Sequence, residues 1–169
     1  QGGFTHNRNV LWVDGKQSKL VNTTKYNEEN SFIISKFNID VFNQLQNTEH
    51  SQTLYGNAVT QNNYYYYRNT NETERKKYFT TNLLSEVSLF ELMEARDIKN
   101  DKYPIVEWKA KYQSHKLVNH SGKRIFVNLI GTKLAKEIEE LKVRKKSILI
   151  NDGITIIDTF NLKLPPQCI

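Results

Sequence analysis

The residue types that do chemistry in proteins are thinly spread through this sequence. Glu107-Trp108-Lys109, with Asp97 and Asp101 upstream, could hold Mg²⁺ between carboxylates while the lysine positions an attacking water. Asp101 lies only six residues before Glu107, however, which is tight for such a site, and the three-residue pattern is common. His6, His50, His115 and His120 are scattered, and none pairs with an acid at metal-ligand spacing. The single Cys168 excludes an internal disulfide, a cysteine-rich zinc ribbon and a CxxC redox pair. No glycine-rich phosphate loop is present. The expectation is a chain without catalysis, metal or cofactor, with metal-dependent nuclease chemistry as a remote alternative.

Binding is the remaining class, and the charge is distributed in a way that suits it. The 169 residues carry a net charge of +6, but residues 99–147 alone hold 13 Lys/Arg against five Asp/Glu. A basic segment between near-neutral flanks is what a polyanion-binding face looks like in sequence. Nine tyrosines, eight phenylalanines and two tryptophans supply a core that a disordered chain lacks. No apolar run approaches the roughly 18–20 residues of a membrane span, so no membrane partner is expected. Asn22, Asn71 and Asn119 stand in glycosylation triplets. In an Asn-rich chain with neither signal peptide nor cysteine pair these read as chance, and an intracellular location is expected. The opening Gln1-Gly2-Gly3, without methionine, reads as the start of a fragment.

The elements that must position these residues follow from periodicity. Val10–Val13 and Ser18–Val21, joined at Asp14-Gly15, predict a hairpin, and Ser31–Phe37 predicts a strand. Ile39–Gln46 predicts two helical turns burying Val41, Phe42 and Leu45. Residues 47–82, rich in Asn, Thr and Gln, predict a long loop or linker, or a strand at the run Tyr64–Tyr67. Leu83–Ala95 predicts a helix with Leu83, Val87 and Phe90 on one stripe. Pro104 then opens a strand at Ile105–Tyr112, and Lys116–Asn119 predicts a short one before the turn at His120-Ser121-Gly122. Lys123–Ile130 alternates, with Ile125, Val127 and Leu129 on one face and Arg124, Phe126 and Asn128 on the other. Thr132 would cap a helix over Lys133–Lys142. Ser147–Ile150 and Ile154–Asp158 flank the hairpin signal Asn151-Asp152-Gly153, and Phe160–Leu164 extends the last strand.

From Leu83 onward this order, and above all Gly122–Ile156, resembles the OB-fold subunits of replication protein A-like and telomere or telomerase-associated single-strand-binding complexes. Gly131, Leu134-Ala135, Leu141 and Lys145–Ile150 carry the resemblance. It implies a mainly β fold with α: a five-stranded Greek-key barrel with a helix between strands 3 and 4. That domain would occupy residues 83–169. Residues 1–82 would be an N-terminal β-containing extension or a degenerate second β module.

The resemblance further implies a non-catalytic subunit of a multi-protein complex in the nucleus, at chromosomes or telomeres. Its ligand would be single-stranded DNA, or RNA, and its partners other OB-fold subunits. OB-folds combine a basic groove with aromatics on which bases stack. The candidate contacts here are Lys109, Lys111, Tyr112, Lys116, Lys123, Arg124 and Phe126. Alternation puts Val106, Trp108, Ala110 and Tyr112 on one strand face and Glu107, Lys109 and Lys111 on the other, so Trp108 belongs to the core more than to a base platform. The alternative is a protein-docking subunit with little nucleic-acid affinity of its own.

Overall fold

The computed structural model describes residues 7–61, 71–78, 81, 90–98, 105–132 and 153–166. Within them the chain is mainly β. A hairpin of β1 (Asn9–Asp14) and β2 (Gln17–Asn22) turns at Gly15-Lys16, where sequence expects it. A longer hairpin pairs β3 (Phe32–Phe42) with β4 (Leu45–Tyr55). Two short helices, α1 (Asn57–Gln61) and α2 (Glu72–Tyr78), come next. The remaining strands are β5 (Glu91–Ile98), β6 (Ile105–Ser114), β7 (Val118–Ser121), β8 (Arg124–Val127) and β9 (Thr155–Lys163).

Five strands form one sheet in the order β5-β6-β4-β3-β9, antiparallel except for the parallel pair β3 and β9. Two of these strands precede residue 82 and three follow it. β7 and β8 pair with each other through a turn at Gly122 (φ 59°), and among the described residues neither joins β6. The expected short strand at Lys116–Asn119 is thus β7, displaced by two residues.

One expected helix, and the described end of another, are replaced by strands. Ile39–Gln46 lies inside the β3–β4 hairpin: Ile39 and Val41 are buried on a two-residue period while Phe42 points to solvent. Asn43 and Gln44 both take positive φ (46° and 67°), the left-handed pair of a tight hairpin turn that no α-helix contains. Glu91–Ala95, the end of the second expected helix, belongs to β5. A β-bulge between Leu92 and Glu94 lets this stretch bring both Leu92 and Ala95 against the core, so pairing with β6 overrides the helical spacing. Residues 47–55, expected as loop, form most of the central strand. The Tyr64–Tyr67 run, the start of the Leu83–Ala95 segment, the Lys133–Lys142 helix and the Ser147–Ile150 strand lie outside the described residues.

One face of the sheet is packed. Ile33, Leu54, Val106, Trp108, Ala110 and Tyr112 form one apolar cluster with Ala58 and Val59 of α1. Phe37, Ile39, Val41 and Val118 form a second, covered by Ile125, Val127 and Phe160. Burying each large side chain contributes roughly 1.5–3 kcal/mol. Between the clusters runs a polar row that follows the strand register. Trp108 Nε1 donates to Gln52 Oε1 (3.2 Å), and Gln52 Nε2 donates to Ser35 Oγ (2.9 Å). Ser35 Oγ lies 2.7 Å from Thr132 Oγ1, which donates to Asp158 Oδ1 at 2.8 Å. The Thr132 backbone N–H donates to Asp158 Oδ2 (2.7 Å). Trp108, Gln52, Ser35 and Asp158 are direct cross-strand neighbours from β6 to β9. Gly131 fits here because a Cβ at this position would run into the Asp158 carboxylate.

Asp158→Ala removes the acceptor for two donors of Thr132, at about 1.5–3 kcal/mol for each bond to a charged group. The expected result is a loss of about 3 kcal/mol in urea denaturation, with Asp158→Asn losing less. A loss below about 1 kcal/mol for the alanine variant would show that the row does not hold the sheet.

Candidate functional site

The seven expected contact residues do not form one surface. Lys109 and Lys111 point from β6 to the open face of the sheet. Tyr112, next to them, points the other way: it is buried in the core with its ring edge against Phe90 (4.7 Å), and burial raises its phenol above the usual range. It cannot serve as a stacking platform from there. Lys116 follows β6 in a turn, where its backbone N–H donates to Ser114 Oγ. Lys123 lies in the β7–β8 turn, and Arg124 and Phe126 point outward from β8. Ile125 and Val127 of the same strand pack on the core cluster, so the hairpin covers the packed face. The five-stranded sheet therefore stands between Lys109 and Lys111 on one side and Lys123, Arg124 and Phe126 on the other.

The open face is built row by row from the pairings. One cross-strand row reads Arg96, Lys109, Ser51, Lys36, Thr159. Lys36 and Lys109 have no ion-pair partner among the described residues, and Arg96 meets Glu94 only at 3.7 Å. The next row holds Lys111, whose ammonium is 2.9 Å from the Glu49 carboxylate. That hydrogen bond, with the charge behind it, raises the lysine's pKa. Further along, Lys163 pairs with Asp40 at 3.2 Å and the Asn161 amide donates to Asn38 (2.8 Å). At the other end of the face, Phe32 and Tyr55 stack at 4.8 Å, four residues and about 13 Å along the strands from the cation row.

Two hollows mark this face. A groove of about 950 Å³ runs past Asn38, Asp40, Asn47, Lys111, Gln113 and Met93. A smaller hollow of about 160 Å³ sits at the cation row, between Ser51, Glu94, Arg96 and Lys109. Sequence does not single out Lys36, Ser51 and Arg96, because Lys36 falls in a strand of unknown partner, Ser51 in an expected loop and Arg96 just past the end of the expected Leu83–Ala95 helix. Only the alternation of Asn47, Glu49, Ser51 and Thr53 with buried Gln46, Thr48, His50 and Gln52 could have signalled a strand.

On the packed face, His50 is enclosed by aromatic rings: it stacks on Phe37 (4.0 Å) and meets the edges of Trp108 (4.6 Å) and Tyr112 (6.2 Å). Both ring nitrogens are buried without a hydrogen-bond partner among the described residues. Burial pushes its pKa down from 6.5 to about 3, against a smaller opposing effect of the Asp158 charge. It is a neutral residue of the core.

Nothing in the described residues gathers three or more groups able to hold a metal ion. Of the carboxylates in the nuclease reading, Asp101 lies outside the described residues, and the backbone register places Asp97 opposite Trp108. No helix among the described residues is long and apolar enough to cross a membrane. Comparison with known protein families, with curated proteins and with solved structures found no match for this chain.

The unfolded chain takes up the His50 proton near pH 6.5 and the folded chain only near pH 3, so stability is full above about pH 7 and falls as pH drops between these values. Between pH 7.5 and 5.5 the expected loss is about 1.4 kcal/mol, read from urea midpoints. His50→Leu is expected to remove most of that pH dependence; an unchanged dependence in this variant would exclude His50 as its source.

Proposed function

We propose that this chain is a non-catalytic binding module that lays a single-stranded nucleic acid, DNA foremost, across the open face of its five-stranded sheet. The observation that carries the reading is the row Arg96, Lys109, Ser51, Lys36, with cations on β5, β6 and β3 and Ser51 of β4 between the two lysines. Three cations at strand spacing suit an extended backbone of phosphates, and the Asn38, Asn47 and Gln113 amides in the adjoining groove are donors and acceptors for base edges. The Phe32–Tyr55 pair supplies aromatic surface at the far end. The five-stranded OB barrel that the sequence resemblance implies is not needed for this reading, which rests on the face alone.

The magnitude is modest. Most of the other charges on the face are already paired, so about three phosphates can be neutralised. A log–log salt slope near −2 follows for a single strand. Such a module holds a strand effectively only beside other binding surfaces, which fits a subunit of a multi-protein complex. A second reading, docking of a partner protein without nucleic-acid affinity, is favoured by the β1–β2 hairpin, whose Leu11, Trp12, Val13 and Leu20 face solvent.

Fluorescence anisotropy with a labelled oligo-dT decides between them. Raising salt from 50 to 200 mM is expected to weaken binding about 15-fold. Lys36→Glu with Lys109→Glu should abolish it, while Lys123→Glu with Arg124→Glu, behind the sheet, should leave it nearly unchanged. No binding at 50 mM salt would sink the nucleic-acid reading and leave docking in its place.

A further inference from the structure

The β1–β2 hairpin forms a two-stranded sheet of its own, an arm apart from the five-stranded sheet among the described residues. Its two strands pair with each other, and no other strand among the described residues joins either edge. Its neck is closed where the Arg8 N–H donates to Thr23 Oγ1 (3.0 Å) and the Thr23 N–H to the Arg8 carbonyl (2.9 Å). Beyond that neck Leu11, Trp12, Val13 and Leu20 are 58–74% exposed. The register sets Leu11 beside Leu20 on one face and Trp12 beside Lys19 on the other, so apolar surface is presented on both. A two-stranded ribbon in water is marginally stable, and large side chains exposed on both faces do not help it.

We propose that this arm is the contact between two copies of the chain, paired about a two-fold axis along their β1 edges. Three features favour a second copy. The first is charge. Soluble proteins guard free edges with lysine or other charges; β2 carries Lys19 in mid-strand, whereas β1 from Asn9 to Val13 carries no charge at all. Two β1 edges therefore meet without like-charge repulsion, even in a chain of net charge +6. The second is geometry. A two-fold sets the same edge against itself, and antiparallel pairing centred on Leu11 and Trp12 turns two marginal ribbons into one four-stranded sheet. Strong twist in such ribbons wraps the side chains of one arm over the other. The third is apolarity. Leu11, Trp12 and Val13 stand on the pairing strand itself and are 58–73% exposed, which gives the seam apolar surface to cover. This inference is independent of what the open face of the five-stranded sheet binds.

Sedimentation velocity of the purified chain from 1 to 100 µM tests it. The expected result is a species of twice the 19.8 kDa monomer mass that dissociates on dilution. Val13→Lys and, separately, Trp12→Lys should each hold the chain at monomer mass across the range, while Phe126→Ser, on the β7–β8 hairpin, should leave the dimer intact. Both arm positions are exposed, so circular dichroism spectra of these variants should match that of the dissociated wild type at 1 µM. A wild-type monomer at 100 µM would overturn the proposal and assign the arm to a different protein. A dimer that survives both lysine substitutions would overturn it equally, by placing the contact elsewhere.

Discussion

Everything in the larger sheet is organised around one part-buried acceptor. The inner row from Trp108 through Gln52, Ser35 and Thr132 is a chain of donors that all point one way, and the Asp158 carboxylate ends it. Hydrogen bonds in such a chain reinforce one another, and any member left unpaired costs more than the bond itself contributes. Because the row follows the register of four neighbouring strands, a slip of one residue in any of them would strand a donor in the core as well as turn the apolar set outward. Polar residues inside the sheet thus specify the same alignment that the apolar clusters do. They also fix where the chain segment after β8 must lie, since Thr132 is held by both its hydroxyl and its backbone.

With the packed face committed to that row and its two apolar clusters, ligand chemistry is left to the open face and the margins. The open face is polar and nearly balanced in charge, so on the proposed reading a ligand meets the placement of its charges more than their sum. Its unpaired cations are concentrated in a single row, and its carboxamides in the groove beside it. The β7–β8 hairpin presents Arg124 and Phe126 to a different direction altogether, so anything that binds there binds separately.

The sequence was most legible where polarity alternates against a clear apolar face. The β1–β2 turn, β6, the alternation in β8 and the extension of β9 to Lys163 all follow from pattern alone. The central strand did not, because Gln46, Thr48, His50 and Gln52 are polar on the buried side as well: their partners come from strands far away in the chain, which no local window contains. Helical spacing at Glu91–Ala95 misled because a single bulge makes a strand mimic it. The site suffered accordingly. Lys109 and Lys111 are legible as outward residues and alternation sets Tyr112 on the opposite face, where it is buried, whereas the row they join depends on the pairings of β6 with β4 and β5 and of β4 with β3, which no local window contains.

The parallel pairing of β3 with β9 has a consequence for how the molecule reaches this state. Asn38 and Asn161, bonded across that pair, are 123 residues apart. The β3–β4 hairpin can close locally and early, yet Ser35 and Gln52 have no carboxylate to point at until β9 arrives. During synthesis the ribosome therefore releases a hairpin with uncovered polar groups on its future inner side and an open edge along β3. Contact order this high makes closure slow and lengthens the time that edge stays available to other chains.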